Sequence, residues 1–222
     1  MFFDINLATS IIVGIFAGGA AGYLGSFMVL RRMALVGDAM SHVALPGIAI
    51  ALVFHLNPFV SAFLFLFLAA VGIWAIEEKT GLPTEAIVGV FFTLSLALGV
   101  LLTPELELLE ALFGDISDIS VEDAIGAVIL SVLVLAAAYR MKRSFLLEII
   151  SRDLAEAAGV RVKRTNLIFL VLVAVVVALG VKVVGTLLMG ALVILPAVAA
   201  RQVSSRFSRF SFLSAAFGML SA

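Results

Sequence analysis

An all-α, polytopic bundle of membrane-spanning helices is the fold class this sequence predicts, and three observations predict it. Of 222 residues, 64% are apolar and only 13% are charged, against roughly 25% charged in an ordinary soluble domain. The apolar residues fall in long uncharged runs, most of them near the roughly 20 residues a helix needs to cross a bilayer. The Lys and Arg residues fall almost entirely in alternate gaps between those runs. A water-soluble domain is excluded, because too few charged side chains exist to cover its surface. The formal net charge of −1 gives no overall attraction to nucleic acid. With no cysteine, any metal ligands must be His, Asp, Glu, Met or backbone oxygen.

The first run, 5–30, follows Met1-Phe2-Phe3-Asp4, which has no basic segment ahead of the apolar stretch, so it reads as a retained span and not a cleaved signal. Its Gly14, Gly18, Gly22 and Ser26 recur every fourth residue, a small-residue face on which another helix backbone can pack closely. The second run, 33–57, contains Asp38, His42 and His55 and ends at Asn57-Pro58. The third covers 58–76, closed by Gly81-Leu82-Pro83, and the fourth covers 86–104, closed by Thr103-Pro104. A fifth covers 124–139. The sixth, 165–181, is separated from the seventh, 183–200, at Val181-Lys182, and Pro196 within the seventh predicts a kink. The last run, 210–222, has 13 residues and as a helix rises only about 20 Å, short of a hydrocarbon core of about 30 Å. The expectation is one domain over 1–222 with about eight membrane helices, the last one truncated.

Assigning alternate gaps to alternate sides fixes the orientation. One side receives Arg31, Arg32, Lys79, Arg140, Lys142, Arg143, Arg152, Arg161, Lys163, Arg164, Arg201, Arg206 and Arg209, and the other receives only Lys182. The basic side is therefore cytoplasmic and the N-terminus is outside. The outer side collects Asp4, Glu105, Glu107, Glu110, Asp115, Asp118, Glu122 and Asp123, an acidic mouth that concentrates cations or meets a basic partner, or else ordinary solvated loops.

Asp38 and His42 are spaced i, i+4, so a helix projects them from one face, one turn apart and one to two turns in from the cytoplasmic end. A carboxylate within a span costs about 2.5–3.5 kcal/mol on insertion scales and usually faces the bundle interior or a water-filled path. Carboxylate oxygen plus imidazole nitrogen suits a first-row divalent ion, and two ligands hold it loosely, as a transit site requires. An Asp–His pair fastening two helices, or a proton relay, fits the same spacing.

The longest cytoplasmic connection, 140–164, contains a segment at about 151–160. There Asp153 with Glu156 resembles a capping box and Gly159 is a natural stop, leaving a helix of little more than one turn. So short a helix is marginal alone and should dock on the protein's underside or on a partner. No G-x-x-x-x-G-K-[ST] occurs, so ATP-driven work would fall to another subunit, and neither G-x-S-x-G nor H-E-x-x-H is present to support an enzyme.

The stretch Arg31-Arg32-Met33-Ala34-Leu35-Val36-Gly37-Asp38-Ala39-Met40-Ser41-His42-Val43-Ala44-Leu45-Pro46-Gly47, after Gly25-Ser26-Phe27, resembles the signature of the ABC-3 family. These are the membrane permeases of zinc, manganese and iron ABC importers. The resemblance continues through Leu112-Phe113-Gly114-Asp115, Asp153-Leu154-Ala155, Gly159-Val160 and Val184-Gly185-Thr186-Leu187-Leu188 to Leu195-Pro196-Ala197 with Ala200-Arg201. It implies a multi-pass protein of the cytoplasmic membrane that moves a divalent metal ion, zinc or manganese with iron as a further option, with no permanently bound cofactor and no enzyme activity of its own. It implies a second permease copy in a homodimer, cytoplasmic ABC ATPase subunits and an extracytoplasmic metal-binding protein as partners. The ion contacts it implies are Asp38 and His42. The coupling helix it implies, which takes up ATPase motion, is Asp153, Leu154, Ala155, Glu156, Ala157, Ala158 and Gly159. Members usually run past the eighth helix, so a fragment or a shortened gene is expected. Two other readings are a permease for chelated metal, such as a siderophore or cobalamin, and a proton-coupled secondary carrier.

Overall fold

The structure, a computed structural model, describes residues 2–102 and 121–222, with side chains from residue 9 onward except at 183. Eight helices are described: α1 (Phe2–Leu30), α2 (Ala34–Phe54), α3 (Pro58–Thr80), α4 (Thr84–Leu102), α5 (Val121–Ile150), α6 (Arg152–Ala157), α7 (Val162–Val203) and α8 (Phe207–Ser221). Seven stretches among the described residues are long and apolar enough to cross a membrane, with α7 supplying two, Val162–Lys182 and Val184–Val203. The eighth helix, with 15 residues, is not among them.

The helix ends follow local chemistry. Asn57 caps α3, its side-chain oxygen accepting from the backbone N–H of Phe59 and Val60 at 3.0 and 3.2 Å with Pro58 in the first turn. Gly81, at φ 67°, closes the same helix in the left-handed region. Two boundaries differ from the apolar runs. Helix α5 continues past Tyr139 to Ile150, carrying Arg140, Lys142 and Arg143 within it. Hydropathy marks only where lipid ends, whereas Arg, Lys, Met, Leu and Glu remain good helix formers beyond it. In α7 the non-helical residue is Gly185, at φ 74° and ψ 175°, and not Val181-Lys182 or Pro196. Only glycine enters that region without a steric penalty, so the chain reverses there. The boundary at Thr103-Pro104 lies outside the described residues.

The centre of the bundle is α1, α2 and the first half of α7, whose apolar windows are 72%, 61% and 78% buried, whereas those of α3, α4 and α5 are only 28%, 22% and 22% buried. The outer three present Leu, Val, Ile and Phe to lipid or to another chain. The small-residue face of α1 packs as expected, and its partner is α8. Gly18 faces Gly218, Gly22 faces Ser214, and the Ser214 hydroxyl donates to the Gly22 carbonyl at 2.5 Å. Ser26, the fourth member, instead turns its hydroxyl back to the Tyr23 carbonyl.

At the end of the bundle that carries Arg31, Phe27, Phe145 and Phe169 are fully buried and meet edge to face at 5.4 Å in each contact. Arg31 lies over the Phe169 ring at 4.2 Å and pairs with Glu148 at 2.8 Å. Burial pushes its guanidinium below the usual arginine range, and the Glu148 carboxylate pulls it back.

Candidate functional site

Helix α2 starts at Ala34, after a corner in which Arg32 takes φ 60°. From there the helical period brings Asp38 and His42 to one face, both half-buried. Asp38 opens into a groove of about 210 Å³ between α2 and α4, walled by Val36 and Ala39 on one side and by Glu85, Val88 and Phe92 on the other. The His42 ring meets Phe92 edge-on at 5.4 Å, and its Nδ1 is buried with no protein partner. Behind Asp38 stands Gly190 of α7, so close that a Cβ there would lie 2.6 Å from the Asp38 Cα.

Among the described residues, no hydrogen bond or ion pair joins Asp38 to His42, and no Lys or Arg pairs with Asp38. The tie between helices at this level is Ser41, whose hydroxyl proton is shared between the Asp38 carbonyl at 2.7 Å and the Thr186 carbonyl at 2.8 Å. Thr186 follows the Gly185 break, and its own hydroxyl is buried without a partner. The i, i+4 spacing places Asp38 and His42 on one face but holds no information on their contacts with Ser41, Thr186, Glu85 or Phe92. Ser41 is on α2 itself, Glu85 and Phe92 come from α4, and Thr186 follows the break in α7; Ser41 and Thr186 fall within the quoted family motifs, whereas nothing in the sequence marked Glu85 or Phe92.

The Asp38 carboxylate in this groove and the His42 imidazole against its Phe92 wall, neither hydrogen-bonded nor ion-paired among the described residues, can bind a divalent cation through oxygen and nitrogen. Among the described residues no group of three or more His, Cys, Asp or Glu forms. One copy therefore offers two such ligands at this level, leaving the shell open to water or to a second copy. His55 is the left-handed C-cap of α2, at φ 52°, about 20 Å along the helix from His42 by helical rise.

Helix α6 starts two residues earlier than a cap at Asp153 implies. Ser151 is the cap, accepting from the Leu154 N–H at 3.3 Å, and Gly159 at φ 79° follows the end. Of the seven residues Asp153 to Gly159 only Ala155 is buried; the other six, Leu154 included, face outward. Arg152, the first residue of the helix, pairs with Glu78 at the end of α3 at 3.2 Å.

On the outer side, Asp123 pairs with Lys182 at 2.9 Å, and Glu122 lines the same cavity of about 360 Å³. Glu105, Glu107, Glu110, Asp115 and Asp118 lie outside the described residues, as do the Leu112-Phe113-Gly114-Asp115 motif and the Asp4 side chain.

Residues 4–222 match the ABC 3 transport family. The manganese transport system membrane protein MntC of Listeria innocua is 32% identical over 225 residues, covering 100% of this chain and 79% of that protein. The high-affinity zinc uptake system membrane protein ZnuB of Haemophilus influenzae is 31% identical, covering 91% of this chain and 78% of that protein. Among solved structures, PsaBC from Streptococcus pneumoniae in complex with a Fab superposes with a TM-score of 0.82 at 30% identity, covering 97% of this chain and 79% of that one.

Proposed function

This chain belongs to the ABC 3 transport family, and from that premise we infer that it is the membrane permease of an ABC importer of divalent transition-metal ions, with ATP hydrolysed by a separate subunit. The cargo is manganese or zinc, the ions for which its relatives are named. Asp38 and His42 are the ligands that the ion meets in passage, and the observation supporting this is that both side chains lie unpaired on one face of α2 beside a groove. Carboxylate and imidazole replace part of the ion's water shell. Two ligands keep the affinity low enough for the ion to leave again. A second copy of the chain in a homodimer would contribute its own pair. An extracytoplasmic metal-binding protein delivers the ion, and the exposed face of α6, Asp153 to Gly159, is where the ATPase subunit docks.

The test is uptake of radioactive Mn²⁺ into proteoliposomes that hold this chain with its ATPase and binding protein. Asp38→Ala and His42→Ala each lower uptake about tenfold or more, the size expected for a lost interaction with a charged group. Unchanged uptake in both removes the ligand assignment. Uptake that proceeds without ATP and stops with an uncoupler would instead identify a proton-coupled carrier.

A further inference from the structure

Helix α3 ends in two adjacent carboxylates that the transport reading leaves without a role. Glu78, its side chain 11% exposed, accepts from Arg152 of α6 at 3.2 Å and from Lys163 at the start of α7 at 2.8 Å. Glu77, one residue earlier and so turned about 100° around the helix, reaches a different set. It accepts from the Asn166 side-chain amide of α7 at 3.0 Å and from the Thr84 hydroxyl, at the first residue of α4, at 2.9 Å. Asn166 is buried, and its side-chain oxygen accepts from Arg31 at 3.0 Å. Arg31 is held in turn by Glu148 of α5 at 2.8 Å.

Two of the three ends of this network lead to the two walls of the groove. Thr84 begins α4, which carries Glu85, Val88 and Phe92; Arg31 stands three residues before α2, which carries Asp38 and His42. The other end is the first residue of the exposed cytoplasmic helix. A cavity of about 480 Å³ lined by Arg31, Arg32, Glu77, Thr84 and Glu148 lies beside the network, leaving these groups room to rearrange.

We propose that Glu77 and Glu78 form the joint through which movement of α6 is delivered to both walls of the groove at Asp38. Glu78 takes up the displacement through Arg152 and Lys163. Glu77 passes it on through Asn166 and Thr84. Both are positioning residues that never touch the ion. The inference rests on the permease reading above, since it needs a partner that moves α6.

The experiment reads ions imported per ATP hydrolysed, using radioactive Mn²⁺ and proteoliposomes of the whole complex. Glu78→Gln and Glu77→Gln each lower that ratio by about tenfold, within the usual range of coupling between sites, while ATP hydrolysis continues. Arg152→Gln lowers it too, and adds little on top of Glu78→Gln, because both break the Arg152–Glu78 pair and the exposed 3.8 Å pair of Arg152 with Glu156 contributes little. Lys142→Gln, which among the described residues loses only a contact with the Tyr139 ring, leaves the ratio unchanged. A wild-type ratio in both glutamine variants overturns the proposal. So do additive losses, and so does a parallel fall in transport and hydrolysis with the ratio intact, which reduces the pair to a docking support. If Glu78→Gln does not assemble, Arg152→Gln and Lys163→Gln, both at exposed side chains, carry the test, and a wild-type ratio in both overturns it. Failure of the unmodified complex to import either Mn²⁺ or Zn²⁺ with ATP overturns the permease reading itself, a result distinct from variants that couple as well as the parent.

Discussion

Asp38 is the residue on which the proposed ion path turns, and its neighbours explain why a carboxylate is tolerated there. Gly190 lets α7 approach its backbone, and Ser41 ties the same helix turn to Thr186. The carboxylate thus sits on a fixed helix face at the groove, with one oxygen, Oδ1, against Gly190. Gly190→Ala must push α2 and α7 apart, since the new methyl would stand 2.6 Å from the Asp38 Cα. The expected cost is about 1–3 kcal/mol of stability, read as a lower denaturation midpoint in detergent, together with a loss of ion uptake. Ser41→Ala removes one interhelical hydrogen bond and should cost about 1 kcal/mol. A wild-type midpoint in both would show that the close α2–α7 contact does not hold this region together.

Single elements carry the next level of the design. Helix α7 reverses at Gly185, and that turn sets Thr186 against Ser41 and Gly190 against Asp38. The small helix α6 depends on its ends, because six residues make too few internal bonds to be stable alone. Ser151→Ala removes its cap at a cost of about 1 kcal/mol, so amide exchange across 152–157 should speed up about fivefold. Exchange at the parent rate would mean that the Glu78 ion pair and the buried Ala155, and not the cap, hold the segment. Apolar run length placed α5 too short at its cytoplasmic end, because charged but helix-favouring residues continue the helix beyond the lipid.

The whole molecule is a central trio, α1, α2 and α7, surrounded by helices whose outer faces remain apolar. Its orientation is directly testable, because the chain contains no cysteine. A single Arg140→Cys variant should react with a membrane-impermeant maleimide only from the cytoplasmic side, and an Asn57→Cys variant only from outside; the opposite pattern would invert the topology. Much of this was legible in the sequence. Run lengths and caps such as Asn57 and Gly81 act within a few residues of themselves, so they determined the membrane spans and the placing of Asp38 and His42 on one face. The groove, the Ser41–Thr186 tie, the α1–α8 packing and the Glu77–Asn166–Arg31 network were decided only by the tertiary structure. Each joins residues far apart in the chain, up to 192 positions between Gly22 and Ser214, and one-dimensional periodicity holds no information about which helix faces which.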